Sequence, residues 1–483
     1  MKYNSFILLE LLQSFDNAEL KGLEQILTCH YFNTDQQLVK LFRLLKKVLA
    51  KDKEFDAATQ TKIYQQLKPT DAIAKLLTAK QKDYLRAKMS NLLLLAQRFL
   101  TIAAIDHNPI PALALNNQQL LEKKQYRLFE RQYNKIKKQL EEQDIISIEH
   151  YGLTLQLERD KLIFLDQKEQ LEKKDNFSEL MFHLDLYYLL DKMNLNVAIQ
   201  SFSSINGKIY DLEAMDAIVP LMNLSTYQNN ELIRIYQTVI ILLKHNREQD
   251  YLLLLELLGK HESLLTKKDT IEFYAAACNF GVMQIRKGNL AYNLRLLNLY
   301  KLIESKDVLM NKDLIQVTKL SNIVGLSCRV GEFEWATMLT NKYIPYVAKE
   351  MRDSTYHANM GIIEFYKKNY KQAIHHLIRV ETIGLTLLLS ARVLLLKAHY
   401  EIDTTYDELT MKEFRSAEKF VKDNKQLSSH VKNSYKNFIQ VLINLYRVKH
   451  RVGKRTVASV EEKMNKMEFL SDKQWLREKM KAL

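Results

Sequence analysis

Glycine and proline are scarce in this chain: 11 glycines and 5 prolines make up roughly 3% of its 483 residues, where about 12% is usual. Sandwiches, barrels and dinucleotide-binding folds need these residues in the turns at many strand ends. The scarcity therefore excludes folds that are rich in strands. Because 47% of the residues are hydrophobic and 10% are aromatic, the chain has the composition of a folded protein. We predict an all-α protein.

Cysteine is also rare. Cys29, Cys278 and Cys328 are far apart and show no C-x-x-C spacing, which argues against a disulfide framework and suits a reducing compartment. The longest apolar stretch, IGLTLLLSARVLLL, carries Arg392 and is shorter than the roughly 20 residues that span a bilayer. The first apolar stretch is interrupted by Glu10 and is typical of an amphipathic helix, not of a signal peptide. We predict a soluble, cytoplasmic protein without membrane association.

Motifs that carry catalysis are missing as well. The sequence has no G-x-x-x-x-G-K-[ST], no G-x-G-x-x-G, no H-E-x-x-H and no G-x-S-x-G. His375 and His376 are adjacent, and neighbouring helix residues point about 100° apart, so the two cannot readily share one metal ion. A site that also uses His399 is the alternative to ordinary packing. We predict a non-enzymatic protein with no metal site and no cofactor.

Helical periodicity runs through nearly the whole chain. QQLVKLFRLLKKVL has the apolar spacing of an amphipathic helix, and KMSNLLLLAQRFLTIAAI, apolar on most sides, indicates the central helix of an N-terminal bundle. The clearest break is DHNPIPALALNN at 106–117, where Pro109 and Pro111 disfavour a continuous helix. We predict four parts: an N-terminal helical domain, helical hairpins, repeats and C-terminal helices, at 1–105, 118–269, 270–425 and 426–483.

Three segments share one pattern, CNFGVMQIRKGNLAYNLRLL, SNIVGLSCRVGEFEWATMLT and ANMGIIEFYKKNYKQAIHHL. Each has an Asn near its start, a corner nine residues later, and an apolar or aromatic anchor two residues after the corner. The asparagines are Asn279, Asn322 and Asn359, the corners Gly288, Gly331 and Lys368, and the anchors Leu290, Phe333 and Tyr370. The corners lie 43 and 37 residues apart, and a weaker fourth copy puts Thr404 at the corner and Tyr406 at the anchor.

This pattern resembles the tetratricopeptide repeat, a helix-turn-helix unit of about 34 residues. The family's two small residues fall, in the three copies, at Gly281 and Asn293, Val324 and Ala336, and Gly361 and Ala373. The Asn in place of Ala, the longer periods and the missing terminal Pro mark the repeats as degenerate. The resemblance implies that an α-solenoid, a superhelix of helical hairpins, follows the N-terminal bundle.

The N-terminal part has a resemblance of its own. CHYFNTDQQLVKLFRLLKK with the later KIYQQL is similar to the opening of a bacterial family of helical proteins without assigned activity. This resemblance implies no chemistry.

In the tetratricopeptide family, the first helices of the hairpins line a concave surface that holds an extended peptide or a partner helix. The resemblance implies that Asn279, Asn322 and Asn359 are groove positions. Arg286 and Arg329 lie seven residues after the first two asparagines and would suit an acidic ligand. The alternative is that the asparagines bond only between neighbouring helices. The lysine of the family's carboxylate clamp is replaced in each copy, by Ala275, Thr318 and Thr355.

The net charge of +14 permits an acidic partner, nucleic acid included. Five basic residues fall within nine positions near the C-terminus: Arg447, Lys449, Arg451, Lys454 and Arg455. They could neutralise phosphates, although a solvated helical face is the alternative, since aromatic interleaving is limited to Tyr446. We expect a protein-interaction scaffold or adaptor that binds a protein or peptide partner in the groove. The alternative is a regulatory nucleic-acid-associated protein that uses this basic patch.

Overall fold

The computed structural model describes residues 3–50, 55–71, 76–107, 109–143, 147–173, 176–206, 221–224, 226–310, 314–403 and 405–483. Every regular element within these ranges is a helix, which confirms the all-α prediction. The chain divides into two compact units. The first comprises Met1–Gln143 and Ile148–Tyr187, and the second comprises Asp144–Ser147 and Tyr188–Leu483.

The described part of the first unit holds eight helices before a ninth that passes into the second unit. They are α1 (Tyr3–Ser14), α2 (Asn17–Thr28), α3 (Gln36–Leu49), α4 (Ala57–Leu67), α5 (Ala79–His107), α6 (Pro109–Glu122), α7 (Tyr126–Glu141), α8 (Ile148–Gln167) and the shared α9 (Phe177–Asn206). A short 3-10 turn at Leu171–Lys173 follows α8.

The long helix α5 is the centre of the N-terminal bundle, as the sequence predicts, and it packs against α1, α2 and α3. Its buried face repeats every three to four residues, through Leu85, Met89, Leu92, Ala96 and Phe99. By length and apolar composition, α5 is also the one helix in the described ranges that could cross a membrane. Its buried face nevertheless forms part of the first hydrophobic core, which is the ordinary role of such a helix in a bundle.

The proline-containing segment interrupts the helix but is itself helical for most of its length. α5 ends at His107 and α6 begins at Pro109. A proline at the first helical position loses no hydrogen bond, because that N–H has no acceptor within the helix, and its fixed φ suits the helix. Pro111 also lies in this first turn. The first unit therefore continues through α6, α7 and α8, past the break that the sequence predicts at 106–117.

The second unit adds thirteen helices within its described residues. They are α10 (Glu231–His245), α11 (Glu248–His261), α12 (Lys267–Arg286), α13 (Ala291–Ser305), α14 (Val317–Val330), α15 (Phe333–Tyr343), α16 (Arg352–Tyr366), α17 (Tyr370–Leu377), α18 (Leu385–Ile402), α19 (Glu408–Asp423), α20 (Ser429–Lys449), α21 (Val457–Asn465) and α22 (Lys473–Lys481). Short 3-10 turns lie at Glu262–Leu264, Ile344–Tyr346 and Lys349–Met351.

From α10 to α21, consecutive helices of the second unit pack on each other, and α22 packs on α20. The helices α14, α16 and α18 also contact each other in turn. Small residues allow the close approach within two pairs. A Cβ added at Gly281 would lie 3.1 Å from the side chain of Leu296 on α13, and one at Gly361 would lie 2.6 Å from Leu377 on α17. Ala373 on α17 is fully buried. Larger residues at these positions would force the paired helices apart.

The three predicted corners each end a helix in the left-handed backbone region. The φ angles are 91° at Gly288, 93° at Gly331 and 65° at Lys368. In each case the next residue donates its N–H to a carbonyl five residues back, a Schellman closure. The bonds are Asn289 to Gln284 at 3.0 Å, Glu332 to Ser327 at 2.9 Å and Asn369 to Glu364 at 2.9 Å. The fourth predicted corner, Thr404, lies outside the described residues.

Replacing Lys368 with Gly should stabilise the protein by about 1 kcal/mol, because a left-handed backbone strains every residue that has a Cβ. Urea unfolding of the full chain measures the change. The matched control is Lys367→Gly, where φ is −72° and glycine only adds freedom to the unfolded chain, so stability should fall. Equal effects of the two variants would show that Lys368 is not strained.

A histidine pair joins α16 to α17. Nδ1 of His357 lies 2.9 Å from Nδ1 of His376, so one ring donates a proton and the other accepts it. Burial lowers the pKa of both imidazoles. The nearby Arg379 and His375 lower it further, while Asp353 opposes the shift at His357. The fold therefore favours the neutral form of both rings.

A His376→Asn variant should therefore be less sensitive to acid than the wild type. An imidazole whose pKa folding lowers binds its proton more readily in the unfolded chain. Its contribution is complete above the ordinary pKa of 6.5 and is lost as the pH falls below that value. The free energy of unfolding in urea, measured from about pH 7.5 to about pH 5, should fall less steeply for the variant. The exposed His245→Asn should keep the wild-type slope, and an unchanged slope for His376→Asn would contradict the prediction.

Candidate functional site

Two first helices of successive hairpins, α12 and α14, present the same set of positions to one groove. The positions are spaced by four, three and four residues, which keeps them on a single helical face. They are Ala275, Asn279, Val282 and Arg286 on α12, and Thr318, Asn322, Gly325 and Arg329 on α14. The two asparagines and the two arginines are exposed. Four of the five predicted groove residues therefore lie together.

The groove has a volume of about 1370 Å³. Beyond α12 and α14, it is lined by residues of α13, α16, α18 and α20, all of them in the second unit. The segment that joins α13 to α14 adds an apolar floor, through Val308, Leu309, Leu314 and Ile315. Val308, Leu309 and Ile315 are 7%, 2% and 4% exposed and belong to the core, whereas Leu314 is 61% exposed.

Asn359, predicted alongside the other asparagines, is fully buried and does not face the groove. Its Oδ1 accepts a hydrogen bond from the Ser321 hydroxyl at 2.7 Å, which links α16 to α14. Its Nδ2 has no hydrogen-bond partner within the described residues. For Asn359 the structure therefore shows the alternative in which the asparagine bonds between neighbouring helices, since α16 packs directly on α14.

Two ionisable groups lie at the side of the groove that α12 and α14 share. Lys319 Nζ donates to the carbonyl of Leu309 at 2.7 Å, and burial lowers the pKa of this amine. Burial raises the pKa of the Cys278 thiol to about 12, although Lys319 and Tyr300 act in the other direction. Such a thiol is protonated at neutral pH and is a poor nucleophile.

The other end of the groove is formed by α18 and by the residues before α22. Lys397 Nζ lies 2.9 Å from Asp472 Oδ2, and both residues line the groove. Tyr366 lies nearby on α16. Burial raises the pKa of its hydroxyl, the Arg329 guanidinium lowers it, and Asp472 adds to the increase. The charges of Arg329 and Asp472 therefore both act on the Tyr366 hydroxyl.

One of the groove residues that sequence reasoning missed could have been found from the repeat. Tyr366 follows Asn359 at the seven-residue offset at which the two predicted arginines follow their asparagines. Lys397 and Asp472 carry no comparable signal, since they are far apart in the chain and meet only in the folded unit.

Four residues of the predicted basic patch surround the corner between α20 and α21. Arg451 adopts a left-handed conformation with φ of 56°, and it is exposed together with Lys454 and Arg455. Arg447 is half-buried, and its carbonyl accepts the N–H of Val452 at 2.8 Å. These four side chains form a positive surface at one corner, as a solvated helix end would.

Lys449, the fifth residue of the patch, has a structural role. Its Nζ donates to the carbonyl of Tyr400 and, at 2.8 Å, to the carbonyl of Asp403. Burial lowers the pKa of this amine. A cation at the carboxyl end of a helix satisfies carbonyls that lack an intrahelical donor and interacts favourably with the helix dipole. Lys449 therefore holds the end of α18 against α20.

No group of three or more His, Cys, Asp or Glu side chains in the described ranges is placed to hold a metal ion. Of the histidines considered above, His376 bonds to His357, His375 is exposed and His399 is half-buried. The three cysteines are free thiols.

Comparison of the chain with models of protein families, with curated proteins and with solved structures found no match in any of the three. The groove and its charges are therefore the observations from which a function can be inferred.

Replacing Lys449 with Met should destabilise the protein by about 1–2 kcal/mol, because the carbonyls of Tyr400 and Asp403 would lose a charged donor. The exposed Lys454→Met, which removes the same charge from the same patch, should change stability by less than about 0.5 kcal/mol. Urea unfolding of both variants makes the comparison. A loss of stability at Lys454 as large as that at Lys449 would contradict the structural role.

Proposed function

We propose that the second unit is a non-enzymatic binding scaffold, an α-solenoid of tetratricopeptide-like hairpins that holds an extended peptide segment of a protein partner. The observation on which the proposal depends is the stripe of Asn279, Arg286, Asn322 and Arg329 along one groove. These residues occupy equal positions on two successive first helices.

Repetition of the hairpin supports the solenoid part of the proposal. Left-handed corners at Asn246, Gly288, Gly331 and Lys368 end α10, α12, α14 and α16, the first helices of four successive hairpins. Hairpins that cannot bury their apolar faces alone do so by stacking on their neighbours, and such stacks present the same helix of each hairpin on one side.

The chemistry of the stripe supports a peptide ligand. A carboxamide offers one acceptor and two donors, which match the N–H and C=O groups of an extended peptide. Asn279 and Asn322 are exposed within the groove and can bond to such a backbone whatever its side chains. The arginines, at one end of each helix, are suited to its charged groups.

The size of the groove supports a polymeric ligand over a metabolite. Pockets for small molecules usually measure about 300–1000 Å³, and this groove, at about 1370 Å³, is larger. Its titratable groups also suit binding better than covalent chemistry, because the Cys278 thiol is protonated at neutral pH.

Selection from a random dodecapeptide library displayed on phage, with the immobilised full-length chain as bait, tests the proposal. Peptides that the wild type enriches should bind the Asn279→Ala, Asn322→Ala double variant at least about fivefold more weakly, since each lost hydrogen bond costs about 0.5–1.5 kcal/mol. Fluorescence anisotropy of labelled synthetic peptides measures the affinities.

The matched control replaces Asn298 and Asn341 with Ala. Both are exposed on second helices of the same hairpins and neither lines the groove, so this double variant should bind as the wild type does. Equal affinities of the groove variant and the wild type, or no enrichment of any peptide, would refute the proposed function.

A further inference from the structure

Asp472 lacks the contact that an aspartate usually makes at the start of a helix. It directly precedes α22, where a carboxylate normally accepts a hydrogen bond from an N–H of the first helical turn. Its side chain makes no such bond, and its backbone is left-handed, with φ of 49° and ψ of 36°. A residue with a Cβ is strained in this region. Strain of this kind persists where surrounding contacts hold it, often at functional sites.

The carboxylate of Asp472 reaches into the groove instead. Its Oδ2 lies 2.9 Å from Nζ of Lys397, whose side chain is only 10% exposed. The rings of Trp475 and Phe438 lie 5.1 and 5.9 Å from the same Nζ. The ammonium is thus enclosed by two aromatic rings and one carboxylate, at the end of the groove formed by α18.

The charges of the groove are otherwise of one sign. Among its described lining residues, Arg286, Lys319, Arg329 and Lys397 are basic, and Asp472 alone is acidic. Arg329 and Tyr366 line the same groove as this ion pair, and both Arg329 and Asp472 act on the pKa of the Tyr366 hydroxyl. A ligand that entered this end would meet two cations and one carboxylate from the protein itself.

We propose that Lys397 and Arg329 form a carboxylate subsite of the groove, that Asp472 occupies it in the free protein, and that an acidic peptide displaces Asp472 on binding. This inference rests on the proposed function, because it assigns the chemical class of the peptide and the group with which the peptide competes.

The buried position of Lys397 selects the ligand. Removing Asp472 without replacement would leave a nearly buried ammonium without a counter-charge, which is unfavourable. A peptide with Glu or Asp side chains supplies a new carboxylate and restores the pair, whereas a neutral or basic peptide cannot. The subsite continues into the stripe of Asn279 and Asn322, which favours a peptide carboxylate over a free small anion.

The decisive variant is Asp472→Asn in the full-length chain. It removes the charge of the internal competitor but keeps the size of the side chain, and asparagine tolerates the left-handed backbone well. A fluorescein-labelled hexaglutamate peptide is the probe, and hexalysine is the control peptide. Hexaglutamate should bind Asp472→Asn about threefold or more tightly than the wild type, the change expected when a partly exposed ion pair no longer competes.

Two further variants locate the effect. Lys397→Gln should weaken the binding of hexaglutamate and should abolish the gain from Asp472→Asn when the two are combined. Glu468→Gln is the matched control, since it removes one negative charge four residues from Asp472 at an exposed position outside the groove. It should leave the affinity unchanged.

The outcomes separate this inference from the proposed function. If library peptides bind through Asn279 and Asn322 but Asp472→Asn binds hexaglutamate no more tightly than the wild type, the competition is refuted and the peptide groove stands. If the library peptides bind but neither the wild type nor Asp472→Asn binds hexaglutamate, the inference that the ligand is an acidic peptide is refuted and the peptide groove stands. If free glutamate at the same carboxylate concentration displaces hexaglutamate completely, the subsite belongs to small anions. If no peptide binds at all, both proposals fail.

Tryptophan fluorescence gives a readout that does not depend on affinity. Trp335 and Trp475 are the two tryptophans of the chain, so a Trp335→Phe background leaves Trp475, beside Lys397, as the single reporter. Saturating hexaglutamate should shift the emission of Trp475 in the Trp335→Phe protein that keeps Asp472. The shift should be much smaller when Asp472→Asn is added. Emission that does not respond to bound hexaglutamate in either form would show that the peptide binds without displacing Asp472.

Discussion

Four successive hairpins of the second unit depend on a residue that turns the chain into the left-handed region at the end of their first helix. The chain has few glycines for this task, and two of them, Gly288 and Gly331, take it. Residues with a Cβ adopt the same conformation at the ends of other helices: Lys124, Glu169, Asn246, Asp307, Lys368 and Arg451. Each such position costs about 1 kcal/mol or more, so packing between neighbouring helices must hold the corners closed.

The parts of the fold that follow from local rules could be predicted from the sequence. Helix type follows from apolar periodicity, and the corners at Gly288, Gly331 and Lys368 follow from the alignment of three segments. Four groove residues could also be predicted, because residues at corresponding positions of α12 and α14 lie on the same helical face. Asn359 is the exception, because it bonds to Ser321 on α14 and does not line the groove. No local sequence pattern indicates which helix covers this residue.

Departures from a regular repeat produce much of the groove. The segment between α13 and α14 lengthens the connection between two hairpins, and its apolar residues form the floor of the groove. At the other end, Lys397 and Asp472 meet although they belong to α18 and to the residues before α22. Contacts between elements so distant in sequence depend on the whole unit being packed, which is why the pattern of the repeat does not reveal them.

Asp472 lies close to the C-terminal end of the sequence, so it is synthesised after the other charged residues of the groove. Ribosomes add about 5–20 residues per second, so the roughly 75 residues between Lys397 and Asp472 take on the order of 4–15 s to make. During that interval α12, α14 and α18 can already fold, while Lys397 lacks its counter-charge. The nascent chain therefore carries Lys397 without its counter-charge, and the ion pair can form only after Asp472 has been made.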